Sequence, residues 1–278
     1  MWRIKLRKHC PSLLKAKRGI AVPVTFLMIF VSLTLVVSAT YYFAVSKINT
    51  WSQDLKVSAA KQGMISLENS IRFITWSPGS YRMYKFDDFG GKLMVEPTAK
   101  MLVMNLTDDS FYDVFFNSTI GKVAYELPPS EISNDNIYLM GDNRVVLNQS
   151  SSTMVQLRVS MGTSSPEITL SYRPLVGSTV TETSPGKPTN TVRIYIINLN
   201  SSQTLTQQGS FRLKTECINV DSAWRNYDFS YPITSLTLKV NLDGTNGTVI
   251  LPISCNADGA LVNLETVICN IKIKNGGA

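Results

Sequence analysis

The chain has 278 residues, with 27 Lys+Arg against 20 Asp+Glu, a formal charge of +7, one histidine and four cysteines. Arg3, Lys5, Arg7, Lys8, Lys15, Lys17 and Arg18 crowd into a leader with no acidic residue, so the rest of the chain balances at 20 of each sign. The basic excess is therefore a topology signal and excludes a nucleic-acid partner as its cause. The one histidine, His9, also lies in the leader. That excludes Ser-His-Asp, Cys-His and histidine-bearing zinc sites from everything downstream.

Residues 20–46 form 27 positions without a charge, entered through Lys17-Arg18-Gly19. This exceeds the ~20 apolar residues that cross a bilayer core. The flanking lysines and arginines place the N-terminus in the cytoplasm and everything after Lys47 outside. Val37-Ser38-Ala39 fits a secretory cleavage site, but the apolar run continues through Val45, longer than a signal core. Tyr41, Tyr42 and Trp51 fit an interfacial aromatic belt, and an uncleaved span is the reading adopted.

Pro23 sharpens this. In a helix interior a proline costs ~3 kcal/mol, because it lacks the N–H that should bond four residues back. If the chain were cut after Gly19, Pro23 would fall in the first turn, where that N–H has no intrahelical partner. The processing residues are then Lys17, Arg18, Gly19 and the new terminus Ile20. A kink repaired within the membrane is the alternative.

The helix is expected to continue to about residue 76. Ala60, Met64, Leu67, Ile71 and Ile74 follow the period of a helical seam, while Gln53, Lys56, Lys61, Glu68 and Asn69 are assigned to the opposite face. Trp76-Ser77-Pro78-Gly79-Ser80 ends it. A rod of that length would be ~80 Å long at 1.5 Å per residue.

From residue 77 the period changes to that of strands. Alternating runs occur at 92–95, 101–106, 111–116, 123–127, 145–147, 155–159, 168–172, 192–197, 211–217, 236–242, 249–255 and 267–273. Turn residues such as Gly141-Asp142-Asn143 and Asp243-Gly244-Thr245-Asn246-Gly247 separate them. The fold class expected is α+β: a long N-terminal helix, transmembrane then amphipathic, followed by an all-β antiparallel sandwich over 77–278. The Ser/Thr/Pro-rich stretch 178–190 is either a loop, the reading adopted, or a linker dividing two β halves.

Cys217, Cys255 and Cys269 lie beyond the span, on the apolar parity of their strands. As an odd set they allow one disulfide at most, or remain three small buried hydrophobes. No short-spaced cysteine pair or glycine-rich phosphate loop occurs, so neither metal nor cofactor is expected. Asp87-Asp88 and Asp108-Asp109 read as turns, because neighbouring strand residues point to opposite faces. The 243–247 segment reads as a hairpin turn in preference to a calcium loop. Asn105, Asn117, Asn148, Asn200 and Asn246 match the Asn-x-Ser/Thr glycan acceptor pattern.

Lys17-Arg18-Gly19 followed by Ile20-Ala21-Val22-Pro23-Val24 resembles the class III signal of archaeal type IV pilin-like proteins. The segments 121–128 and 170–174 are similar to uncharacterised archaeal pilin-like ectodomains. The resemblance implies cleavage after Gly19 by a prepilin peptidase, and an apolar helix that anchors in lipid or packs against other pilin-like subunits. Val24 stands where many bacterial pilins carry a glutamate, which points away from a bacterial-type pilin. Two functions follow as expectations: a structural or adhesive surface subunit, or a single-pass anchored β-sandwich that binds a carbohydrate or envelope partner without polymerising. An enzyme is not expected.

Overall fold

The computed structural model describes residues 18–128, 136–148, 152–162, 165–182 and 186–277. Lys17 lies outside them. The chain divides into two compact units, one ending at Leu55 and the other running from Lys56 to Ala278.

Helix α1 (Arg18–Ile74) is continuous. It ends slightly before the expected residue 76, with Trp76 at φ 67° and Gly79 at φ 80° turning the chain away. Thirteen strands follow: β1 (Tyr81–Phe86), β2 (Lys92–Thr107), β3 (Tyr112–Glu126), β4 (Ile137–Met140), β5 (Val155–Met161), β6 (Pro166–Tyr172), β7 (Leu175–Glu182), β8 (Thr189–Asn198), β9 (Leu205–Gln208), β10 (Phe211–Phe229), β11 (Ser235–Leu242), β12 (Thr245–Pro252) and β13 (Ala260–Asn275). One sheet has the order β1-β10-β13-β8-β7; the other has β12-β11-β2-β3-β6-β5-β4, with β9 paired to β2. Every pairing is antiparallel except β8 with β13. The long helix followed by a predominantly β, antiparallel-rich domain matches the expected class.

Two buried clusters fill the Lys56–Ala278 unit. The first joins the α1 seam, with Ala60, Met64, Leu67, Ile71 and Ile74 all at 0% exposure, to Phe86, Leu93, Val95, Leu213 and Ile271. The second holds Leu102, Met104 and Leu106 with Ile194, Leu238 and Val262. The same strands serve both. β2 gives Leu93 and Val95 to the first cluster and Leu102, Met104 and Leu106 to the second. Its inward parity changes from odd to even across an irregularity between Glu96 and Lys100, at Pro97. A bulge is where a proline is tolerated in a sheet, and the extra residue re-aims the side chains. β13 changes parity likewise, from Val262 and Leu264 to Cys269 and Ile271, opposite a bulge in β10 between Cys217 and Asn219.

Gly63, a helix breaker inside the seam, has a packing reason. A Cβ there would meet the Phe89 ring at 2.7 Å, and the Gly63 carbonyl accepts the Tyr84 hydroxyl at 3.1 Å. Beside it Phe86 stacks on Phe211, with ring centroids 5.3 Å apart.

Three expectations are corrected. Residues 145–147 form no strand; Leu147 makes one isolated bridge to Leu175, since Val145, Val146 and Leu147 are all buried and lack a pleat's alternation. The 178–190 stretch is a hairpin, with 178–182 in β7 and 189–190 in β8, since Ser178 and Thr179 pair with Val192 and Thr191. Residues 183–185 lie outside the described residues. Glu68, assigned to the polar face, is 1% exposed, because its position on the helix flanks Met64 and Leu67 under Tyr172.

Arg173, which follows β6, is the largest fully buried side chain. It pairs with Asp142 and donates to the carbonyls of Arg144 (2.8 Å) and Thr153 (3.1 Å). The Arg144 and Arg173 guanidiniums beside Asp142 hold its carboxyl well below the usual range. One guanidinium thus satisfies loop carbonyls that packing removes from water. Truncating Arg173→Ala leaves those acceptors bare; denaturant titration should show a loss of roughly 3–5 kcal/mol.

Candidate functional site: the apolar helix and the groups beneath its end

The lower part of α1 is exposed on every side. Phe26, Leu27, Met28, Ile29, Phe30 and Val31 are consecutive, so they sweep the whole helix circumference, and each is at least 49% exposed. No residue in the most apolar window is buried, and this is one helix long and apolar enough to cross a membrane. Its few polar groups are turned inward. The hydroxyls of Ser32, Thr34 and Thr40 donate to the carbonyls of Ile29 (2.9 Å), Phe30 (2.8 Å) and Val36 (2.8 Å). A lipid-facing helix must satisfy its polar groups internally in this way.

Arg18, Gly19 and Ile20 form the first turn of α1, and Pro23 lies within the helix. The carbonyl that Pro23 leaves without its i−4 donor is that of Gly19, the last residue of the expected leader.

At the other end, α1 stops over a buried group of ionisable side chains. Cys217 and Cys269 approach to 3.6 Å between sulfurs, both at 0% exposure. The bulge after Cys217 brings them together on neighbouring strands, where Cys217 opposes Ile271 and Val220 opposes Cys269. The Trp76 amide donates to the Cys269 sulfur at 3.4 Å. Burial pushes the Cys269 thiol up to about 12. Cys255 is half-buried and apart from this pair, beyond the end of β12.

Next to this pair a cavity of about 170 Å³ is lined by Glu68, Arg72, Trp76, Met154, Tyr172 and Ile197. The Glu68 Oε2 and the Tyr172 hydroxyl are buried there without a hydrogen-bond partner. Burial raises the Glu68 carboxyl, with Arg72 pulling it partly back, and burial also raises Tyr172. A separate, open and polar cleft of about 600 Å³ lies along Thr107, Asp108, Ser110, Tyr231 and Lys239. In it the Ser110 hydroxyl donates to Tyr231 Oη at 3.0 Å, and Tyr231 reaches Asp108 at 3.3 Å.

The candidate glycan acceptors separate by exposure. Asn117, Asn148 and Asn246 are exposed; Asn200 is half-buried, with its amide donating to Asn198 at 2.9 Å. Asn105 faces away from buried Leu102, Met104 and Leu106 as expected, yet its Oδ1 is buried without a partner between Lys239 and Val114. Asp243 and Gly244, at φ 52° and 81°, make the two-residue turn joining β11 to β12, as expected. Asp88 caps its own turn by accepting from the Gly90 amide at 2.8 Å. Among the described residues no three His, Cys, Asp or Glu gather as metal ligands.

Comparison with protein-family models, curated proteins and solved structures found no match.

The Glu68 environment has a pH consequence. Because the folded carboxyl titrates above its unfolded value, the folded state holds more protons, and stability falls as pH rises through that interval. Glu68→Gln removes the ionisation penalty. Thermal unfolding should show the variant gaining on the parent at pH 7, with the difference shrinking toward pH 4.

Proposed function

We propose that this chain is a pilin-like, membrane-anchored surface protein, processed after Gly19 and held by residues 20–46, with its β domain outside the membrane. The observation that carries this reading is the juncture at Gly19. A basic leader ends there, an apolar helix begins there, and the one backbone defect of that helix, at Pro23, points to the Gly19 carbonyl. Cleavage after Gly19 would remove the defect by turning the helix interior into a helix N-terminus. A prepilin peptidase is the enzyme that would cut there.

The helix has two further roles in this reading. Alone, it anchors the protein in lipid; beside other pilin-like subunits, it joins a filament core. The circumferential exposure of residues 26–31 supports both, because no face is reserved for the protein's own fold. The β domain is then a structural or adhesive element with no catalytic task, since the only histidine lies in the leader.

A second reading is favoured by the polar cleft at Tyr231. An aromatic ring among Asp108, Ser110 and Thr107 is the composition that binds sugar hydroxyls, which suits an anchored module that recognises carbohydrate without polymerising.

N-terminal sequencing of membrane-extracted protein decides the first point. A mature chain starting at Ile20 is expected, abolished when Gly19 is replaced by a bulky residue; an intact Met1 or a start at Thr40 contradicts it. Recovery in sheared surface filaments separates polymer from anchor. An oxidising exterior also predicts Cys217 and Cys269 as one disulfide in non-reducing peptide maps, with Cys255 recovered as the free thiol.

A further inference from the structure

β10 has a long free edge. β1 covers it only from Phe211 to Glu216, while β13 pairs along its other side as far as Phe229. From Ile218 onward, no described strand occupies the β1 side of β10. Residues 221–226 are exposed one after another, on both faces of the strand, and Trp224 is 53% exposed. An open edge is a row of unpaired backbone donors and acceptors, and proteins usually blunt it with lysine, proline or a covering loop. Between residues 218 and 229 there is no lysine, proline or glycine.

The charges on this edge are arranged symmetrically. In 219–227 (Asn-Val-Asp-Ser-Ala-Trp-Arg-Asn-Tyr) the only charged residues are Asp221 and Arg225, equidistant from Ala223 and on one face of the strand. Both are held in place. Asp221 accepts from the Asn219 and Asn270 amides at 2.9 Å, and Arg225 donates to Asp113 at 2.7 Å while remaining 47% exposed.

We propose that this edge pairs with the same edge of a second copy, antiparallel and two-fold symmetric about Ala223. Asp221 of each copy then faces Arg225 of the other, Ser222 faces Trp224, and Ala223 faces itself. Parallel pairing in register would put Asp on Asp and Arg on Arg, which is unfavourable directly across a ladder. Antiparallel pairing shifted by one residue would leave both charges without their complement. The charges that would repel most partners at this edge thus select one partner and one register. The nine residues 219–227 would run about 30 Å beside their symmetry mates at 3.3 Å per residue. The stretch stops short of the Ser77–Ser80 turn, where Gly79 donates to the Cys217 carbonyl. The contact is made by the β domain alone, so it does not depend on whether the N-terminal helix enters a filament.

The symmetry axis supplies the test. In an antiparallel ladder, directly opposed Cα atoms lie about 4.5–5.5 Å apart, within reach of a disulfide. The full-length protein, with Cys10 and Cys255 changed to Ser, carries Ala223→Cys and is oxidised mildly in its membrane. A covalent dimer joined through residue 223 is expected. Thr248→Cys, on an exposed part of β12, should give none. Asp221→Arg or Arg225→Asp alone should each lower the dimer yield roughly tenfold by setting like charges opposite. The double exchange Asp221→Arg/Arg225→Asp should restore it, which also separates lost pairing from lost folding. No dimer, a dimer that ignores these charges, or a cross-link from residue 223 to a different protein overturns the proposal.

Discussion

The fold of the β unit depends on one packing interaction, the seam of α1 buried against both sheets. Val57, Ala60, Met64, Leu67, Ile71 and Ile74 belong to the same cluster as Phe86 of β1, Leu93 of β2, Val123 of β3, Leu170 of β6 and Ile271 of β13. Burying a side chain of this size is worth about 1.5–3 kcal/mol, so six of them outweigh any one sheet pairing nearby. Gly63 shows how tightly the helix is held: a methyl group would not fit beneath Phe89. The helix is therefore a core element from Val57 onward, whereas residues 22–55 of the same helix are exposed throughout. One continuous element meets two different solvation problems, and its sequence changes character where they meet.

The two-cluster core follows from the length of the strands. β2, β10 and β13 are long enough to line both clusters, and each carries a bulge or parity switch between them. A bulge rotates the downstream side chains onto the other face, so a single strand serves two cores without breaking its ladder. This also places Cys217 beside Cys269. Their approach is a by-product of the register change, and it makes the end of α1, through the Trp76 amide, a neighbour of both thiols.

What was legible in the sequence was what periodicity encodes. The helical seam from Ala60 to Ile74 is buried at every position named, and the inward set Leu236, Leu238, Val240 and Leu242 alternates as expected. Glu68 was misplaced because a carboxylate on a helix flank signals solvent, and nothing local announces Tyr172 above it. The Cys217–Cys269 contact depends on a strand pairing across 52 residues plus a bulge, neither of which leaves a local mark. The second half of β10 was missed for a physical reason. Periodicity detects a strand through one buried face, and residues 221–226 have none. The exposed edge escaped sequence reading because it is exposed, while the charges on it were in plain view.

Hydrogen exchange of the full chain in lipid nanodiscs, followed through a denaturant series, tests the division of α1 most directly. Amides of residues 60–74 should exchange only with global unfolding of the β unit, together with those of β3 and β13, while residues 24–45 stay protected as long as the lipid remains. Exchange of 60–74 at denaturant concentrations that leave β13 protected would mean that the helix is a detachable tether and not part of the core, and would contradict the account.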